Sequence, residues 1–245
     1  MAVMDDALRA IAASRGVFLR AEARTFGYDD QAFTAALRTG RWVRVRRGAY
    51  TFRDIWQVQD PAGKHRILSR AVMRSLGSSV ALSHTSAVLE HGIAVWGADL
   101  TRVHVMGLDG GAGRVEKDVV HQEGVCVEGD LMEKDAMLVT GVARSVIEAS
   151  SRLPVQAGLV ITDWALHHGL VEPDDLGTQF ASMQRWPFTQ KVHLVLAMAD
   201  KRSESVGETR SRYLFWSQGL PAPTLQFQVY DDHGNLVGIH RLRLA

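Results

Sequence analysis

The feature that most constrains this 245-residue chain is its stretch from Arg15 to Arg53, where nine arginines and no lysine stand against only Glu22, Asp29 and Asp30. That is a local excess of six positive charges on a chain whose formal net charge is +1. The same stretch carries a close succession of structural signals. Ala7, Leu8, Ile11 and Ala12 recur at helical spacing and predict a helix that Ser14-Arg15-Gly16 closes. Leu19 to Arg24 predicts a short helix stopped by Gly27, and Asp29 reads as the cap of a third, with Phe33, Ala36 and Leu37 on one face. Gly40 ends that helix. The string GRWVRVRRGAYTF then reads as two strands, Trp42 to Val45 and Ala49 to Phe52, turning at Arg47-Gly48.

Helix, turn, helix and β-ribbon in this order predict a winged helix-turn-helix, and concentrated basicity predicts a polyanionic partner. In such a unit the third helix enters the major groove of DNA while the strand pair lies against the backbone. Tyr28, Gln31, Thr34 and Arg38 are the candidates on the helix side, and Arg41, Arg44, Arg46 and Arg47 the candidates along the ribbon. Guanidinium forks match phosphate geometry, which a surface selected only for solubility does not need. The competing reading of the ribbon is an ordinary hairpin with its charges in water. Asp29 and Asp30 count against base contact by that end of the helix, and Asp29 is assigned to capping.

Composition excludes several classes. With 46% hydrophobic and 22% charged residues the chain is ordinary globular material. No apolar run approaches the roughly 20 residues a membrane helix needs, and the acidic start MAVMDDALRA is unlike a secretory leader, so a cytoplasmic location and no membrane partner are expected. Cys126 is the one cysteine; it sits in a strand-like stretch and reads as a buried, inert thiol. The ten histidines form neither a helical HExxH pair nor a Cys/His set, so no metal and no cofactor are expected. His167 and His168 are adjacent and project about 100° apart on a helix. The segment GLDGGAG from Gly107 lacks the Lys-Ser/Thr of a phosphate-binding loop and reads as a flexible hairpin loop.

Beyond Asp60-Pro61 the pattern turns to mixed α/β. Helices are predicted from Lys64 to Leu76, over SHTSAVLEHGI with Ser83 as cap, from a Thr140 cap through Ser151, from Val155 to Gly169, and from Pro173. Strands are predicted at Arg102 to Met106, Val119 to Gln122 and Met137 to Val139. A last unit opens near Asp200, with helix Glu204 to Gln218, strand Leu225 to Tyr230, a turn, and a strand from Leu236. The expected fold is α+β, with residues 1–58 as winged helix-turn-helix, 62–199 as a mixed α/β domain and 200–245 as a helix with a hairpin. A two-stranded hairpin is marginal alone and needs support from helices or a partner.

The residues now carry a resemblance. The short helices followed by GRWVRVRRGAY resemble the N-terminal domain of AbiEi-type antitoxins of type IV toxin-antitoxin systems, over roughly the first 55 residues. The strings SHTSAVLEHGI, VTGVARSVIEASSRL and ITDWALHHGLVEPDDL resemble the middle region of actinobacterial proteins that join such a head to a very-short-patch-repair-like endonuclease of the PD-(D/E)xK class. That resemblance implies a glutamate on the helix of residues 204 to 218, matched by Glu208, followed by strands bearing an Asp and a Glu-x-Lys pair. This chain departs at Gly238, where IHRLRLA stands instead. Glu208 is therefore expected to be vestigial, the nuclease core incomplete and the chain no enzyme, because one carboxylate cannot hold a divalent ion in catalytic geometry.

Three functions are carried forward. The first is a DNA-binding regulator of antitoxin type that represses its own operon, with double-stranded operator DNA as partner and a nucleotidyltransferase-like toxin as functional counterpart, an operator being read by a homodimer or with added contacts from the middle region. The second is an inactive or truncated endonuclease-family protein acting on DNA. The third is a protein-interaction module, which predicts no salt-sensitive DNA affinity.

Overall fold

A computed structural model of the chain describes residues 2–127 and 129–243, so the last two residues of IHRLRLA lie outside the described residues. The chain divides into two compact units, residues 1–90 with 99–140, and residues 91–98 with 141–245. The expected segment 62–199 is thus shared between the two units, and the winged helix and the central sheet fall in one of them.

The first unit opens with α1 (Ala2–Arg15), β1 (Phe18–Leu19), α2 (Arg20–Thr25), α3 (Asp30–Arg38), β2 (Trp42–Arg46) and β3 (Ala49–Phe52). Leu19 does not open a helix as its spacing predicts: it lies in the two-residue strand β1, caps α2 and pairs with Ala49. The three strands make a sheet in the order β1-β3-β2, antiparallel throughout. One face of β3 presents Tyr50 and Phe52 to a core with Leu8, Phe18, Phe33 and Trp42. Its other face presents Ala49 to Ile67 and Ala71, so β3 is buried on both sides.

Ile67 and Ala71 belong to α5 (Pro61–Leu76), which follows the single-turn α4 (Arg53–Gln57). Asp60 caps α5 by accepting from the Gly63 amide at 2.7 Å, with Pro61 in the first turn where its missing N–H is harmless. Next come β4 (Val80–Leu82), α6 (His84–Glu90), β5 (Val103–Gly107), β6 (Arg114–Glu116), β7 (Val119–Gln122), β8 (Leu131–Lys134) and β9 (Met137–Thr140). They form a mixed six-stranded sheet in the order β6-β7-β5-β4-β9-β8, with β4–β9 and β5–β7 parallel. Val72, Leu82, Val103, Val105, Val119 and Val139 fill the space between this sheet and α5. The loop of Asp109 to Gly113 joins β5 to β6, which are not neighbours, so it is an exposed crossover rather than a hairpin turn.

Cys126 lies outside any strand and is half-buried, with its Sγ 3.8 Å from the Met106 sulfur. The two valines beside it, Val125 and Val127, are exposed, which is why the alternation that suggested a strand misled.

The second unit contains α7 (Val142–Arg152), α8 (Val155–His167), α9 (Pro173–Met183), α10 (Val192–Met198), α11 (Val206–Ser217) and the hairpin β10 (Thr224–Tyr230) with β11 (Leu236–Arg243). Gly141, not Thr140, caps α7. Helix α8 is apolar nearly all round because α7, α10 and α11 all pack on it, burying Leu159, Val160 and Ile161. The hairpin is antiparallel with a register shift at Val229/Tyr230. The fold is α+β, as expected.

Candidate nucleic-acid interface

Helix α3 is positioned by its inward side chains. Phe33 meets Trp42 at 5.1 Å and Tyr50 at 5.2 Å between ring centroids, both edge-on, and Ala36 is buried beside them. The opposite stripe, Gln31, Thr34, Ala35 and Arg38, is exposed, at the 3- and 4-residue spacing of one helix face. Thr34 returns its hydroxyl to the Asp30 carbonyl at 2.8 Å, which leaves its methyl group outward.

The two aspartates at the start of α3 have separate fates. Asp29 accepts from the Ala32 amide at 2.8 Å, the capping role expected of it. Asp30 accepts from Arg24 at 2.9 Å and Arg20 at 2.7 Å, and these two guanidinium groups hold its carboxyl below the ordinary carboxylate range. Arg20 and Arg24 thus offset the charges of Asp29 and Asp30 at that end of the helix. The i, i+4 spacing of Arg20 and Arg24 on one helix face is the sequence signal for this pair. The Arg20 amide also donates to the Gly48 carbonyl at 2.9 Å, which brings the start of α2 to the turn of the ribbon. Gly48 has φ +83°, a conformation that suits glycine at this turn.

The ribbon does not present its arginines on one face. Arg44 lies opposite Tyr50, and a bulge follows, so that Arg46 lies opposite Ala49, on the side that packs against α5. Arg46 is mostly buried and pairs with Asp118 at 3.5 Å, with its Nη1 buried and without an acceptor among the described residues. Arg44 and Arg47 are exposed and carry no ion pair among the described residues. Arg46 is therefore withdrawn from the expected phosphate contacts by the bulge.

One more expectation needs correction. Tyr28 is 3% exposed and packs on Trp42 at 4.8 Å; its hydroxyl donates to Asp5, and burial, then Asp5, pushes the phenol up to about 12. It is a core side chain, not a base reader. Arg41 is half-buried and donates to the same Asp5 carboxylate at 2.7 Å. Gln31, Thr34, Arg38, Arg44 and Arg47 stay together as the exposed set, joined by Arg20 and Arg24.

Residues 6–53 match the family described as "Transcriptional regulator, AbiEi antitoxin". The AbiEi match spans 48 of the 245 residues and coincides with α1 through β3. No curated protein matches the chain. The solved structure of the RV2827C protein from Mycobacterium tuberculosis is similar at 14% identity over 91% of this chain and 87% of that one, with a TM-score of 0.47. No helix of the described residues is long and apolar enough to cross a membrane.

Outside residues 6–53, Glu208 is 3% exposed and closes the start of α11. Its carboxylate accepts from the Ser205 hydroxyl at 3.0 Å and the Glu204 amide at 3.0 Å, while Ser205 accepts from the Glu208 amide. Gln226 donates to it at 3.3 Å and Arg241 lies 3.8 Å away. Among the described residues no group of three His, Cys, Asp or Glu is arranged to hold a metal ion. Glu208→Ala is expected to destabilise the chain by about 1–2 kcal/mol through loss of this reciprocal cap, read as a lowered denaturation midpoint. The buried His65 has a structural role: it bridges the Leu100 carbonyl and the Ser86 hydroxyl, each at 2.9 Å, and burial lowers its pKa.

Proposed function

We propose that this protein is a DNA-binding transcriptional regulator of antitoxin type that binds its own operator and represses its operon. The observation that carries the reading is the exposed stripe Gln31, Thr34 and Arg38 on the third helix of a winged-helix element order, flanked by exposed Arg20, Arg24, Arg44 and Arg47. The AbiEi match over the same residues supports a regulator of the toxin–antitoxin kind in general. On this reading the stripe faces base edges and the flanking arginines face phosphates. One module of this size buries a small interface, so two copies on a divided operator fit the energetics. A nucleotidyltransferase-like toxin encoded nearby is the functional counterpart, and the function involves no enzymatic step.

The test is a gel shift of the full chain on the DNA upstream of its gene, across a salt series. Neutralising four or five phosphates predicts a log-log slope of affinity against salt of about −4. Arg44→Ala and Arg47→Ala should each make it shallower by about one, equally for all sequences, whereas Arg46→Ala should leave it unchanged. Changing Gln31 or Thr34 should alter preference among sequences by about 1–3 kcal/mol per good contact. A salt-independent interaction sinks the reading and favours a protein-interaction module.

A further inference from the structure

A second cluster of arginines lies at the other end of α3, away from the turn at Gly48. There Arg9, Arg38, Arg41 and Arg53, with Thr39, Gly40, Asp54 and Gln57, line an open concavity of about 640 Å³. Its floor is built by the end of α3. Gly40 takes φ +71° and its amide donates to the Leu37 carbonyl at 3.1 Å, closing the helix. The Arg53 amide donates to the Arg41 carbonyl at 3.0 Å, tying the first residue of α4 to the start of β2.

Three of the four guanidinium groups are held in place rather than free in solvent. Arg53 donates through Nε to the Gly40 carbonyl and lies so close over Gly40 that a Cβ there would collide with its guanidinium. Arg41 lies 5.2 Å over the Trp42 ring and pairs with Asp5. Arg9 lies 4.4 Å over the Phe52 ring and pairs with Asp54. Four cations thus face two carboxylates in contact, with Asp6 a more distant anion near Arg9. Arg38 and Arg53 have no carboxylate partner among the described residues. Guanidinium groups already ordered on rings and carbonyls lose little further freedom when an anion arrives, so a concave, net positive, pre-ordered site suits a phosphate group.

We propose that this cup, formed by Arg9, Arg41 and Arg53 around Gly40 beside the base-facing Arg38, is a second phosphate-binding site, and that it takes a backbone phosphate of duplex DNA beyond the end of α3. The inference rests on the DNA-binding reading above and adds to it a contact from α1 and α4. It makes the footprint longer along the backbone than helix and ribbon alone, with no sequence preference at the added contact.

The full chain is titrated with a random-sequence duplex over a salt series, using two variants of opposite sign. Arg53→Gln leaves no carboxylate unpaired and should make the log-log salt slope shallower by about one. Asp54→Asn frees Arg9 and should tighten binding at low salt and steepen the slope by up to about one, a gain that misfolding cannot mimic. If neither variant moves the slope while Arg44→Ala with Arg47→Ala does, the cup is overturned and the DNA-binding reading stands. If the unaltered chain shows no salt-dependent affinity for duplex, both fall together.

Discussion

Asp163→Ala is expected to destabilise the second unit by about 3–5 kcal/mol, because it strands a partner charge inside the fold. Asp163 is buried in α8, and its carboxylate accepts from the Arg212 guanidinium at 2.7 Å, the Thr209 hydroxyl at 2.7 Å and the Asp200 amide at 2.8 Å. Arg212, itself 13% exposed, also donates to the Met198 carbonyl. One residue thereby ties α8 to α11 and to the chain leaving α10. Burial nevertheless pushes the carboxyl up to about 6, against the pull of Arg212. Since that lies above the ordinary 3.8, the folded unit binds the proton more tightly than the unfolded chain. The contribution of this group is therefore complete below about pH 3.8 and is lost as pH rises through about 6. Asp163→Asn, neutral throughout, should give a smaller loss than alanine and remove this slope from the stability profile between pH 4 and 6. Urea denaturation at several pH values checks both. An alanine variant with an unchanged midpoint would show that Arg212 finds another partner at little cost.

Legibility in the sequence followed how local each signal was. Asp29 as cap, Gly40 as helix stop and the Arg47-Gly48 turn are decided by side chains within a few residues of the position concerned, and each stands where it was expected. The exposed stripe Gln31, Thr34 and Arg38 follows from helical periodicity against Phe33 and Ala36. Strand β1 has two residues and exists only because β3 pairs with it, so no alternation could announce it. Tyr28 and Arg46 failed for a related reason. The partner of Tyr28 is Asp5 on α1, 23 residues away, and that of Arg46 is Asp118, 72 residues away. The WVRVRR pattern also counts as an even alternation only until the bulge turns Arg46 to the other face. Charge density pointed to this surface; the pairing of strands and distant carboxylates decides which of its arginines stay exposed.

Trp42→Ala is expected to cost about 3–5 kcal/mol and, with the winged-helix core of the first unit disrupted, to abolish the proposed DNA binding. The indole is 1% exposed and touches Phe18 and Tyr28 at 4.8 Å, Phe33 at 5.1 Å and Phe52 at 6.2 Å between centroids. It therefore stands between α3, the start of β1 and both ribbon strands, and its removal leaves Phe33 without the surface that turns the opposite stripe of α3 outward. The cavity cannot collapse easily, since Tyr28 is tied to Asp5 and Tyr50 is fixed in the ladder of β3. Trp42→Phe separates packing from hydrogen bonding. The indole Nε1 has no acceptor among the described residues, so phenylalanine relieves a buried donor while keeping most ring contacts. It should cost less than about 1.5 kcal/mol and leave the salt slope of DNA binding intact. Equal damage from both substitutions would mean that the indole N–H is satisfied in solution. A Trp42→Ala chain that still bound duplex with full affinity would mean that α3 is not held by this aromatic core, and the proposal that its exposed stripe reads bases would lose its structural support.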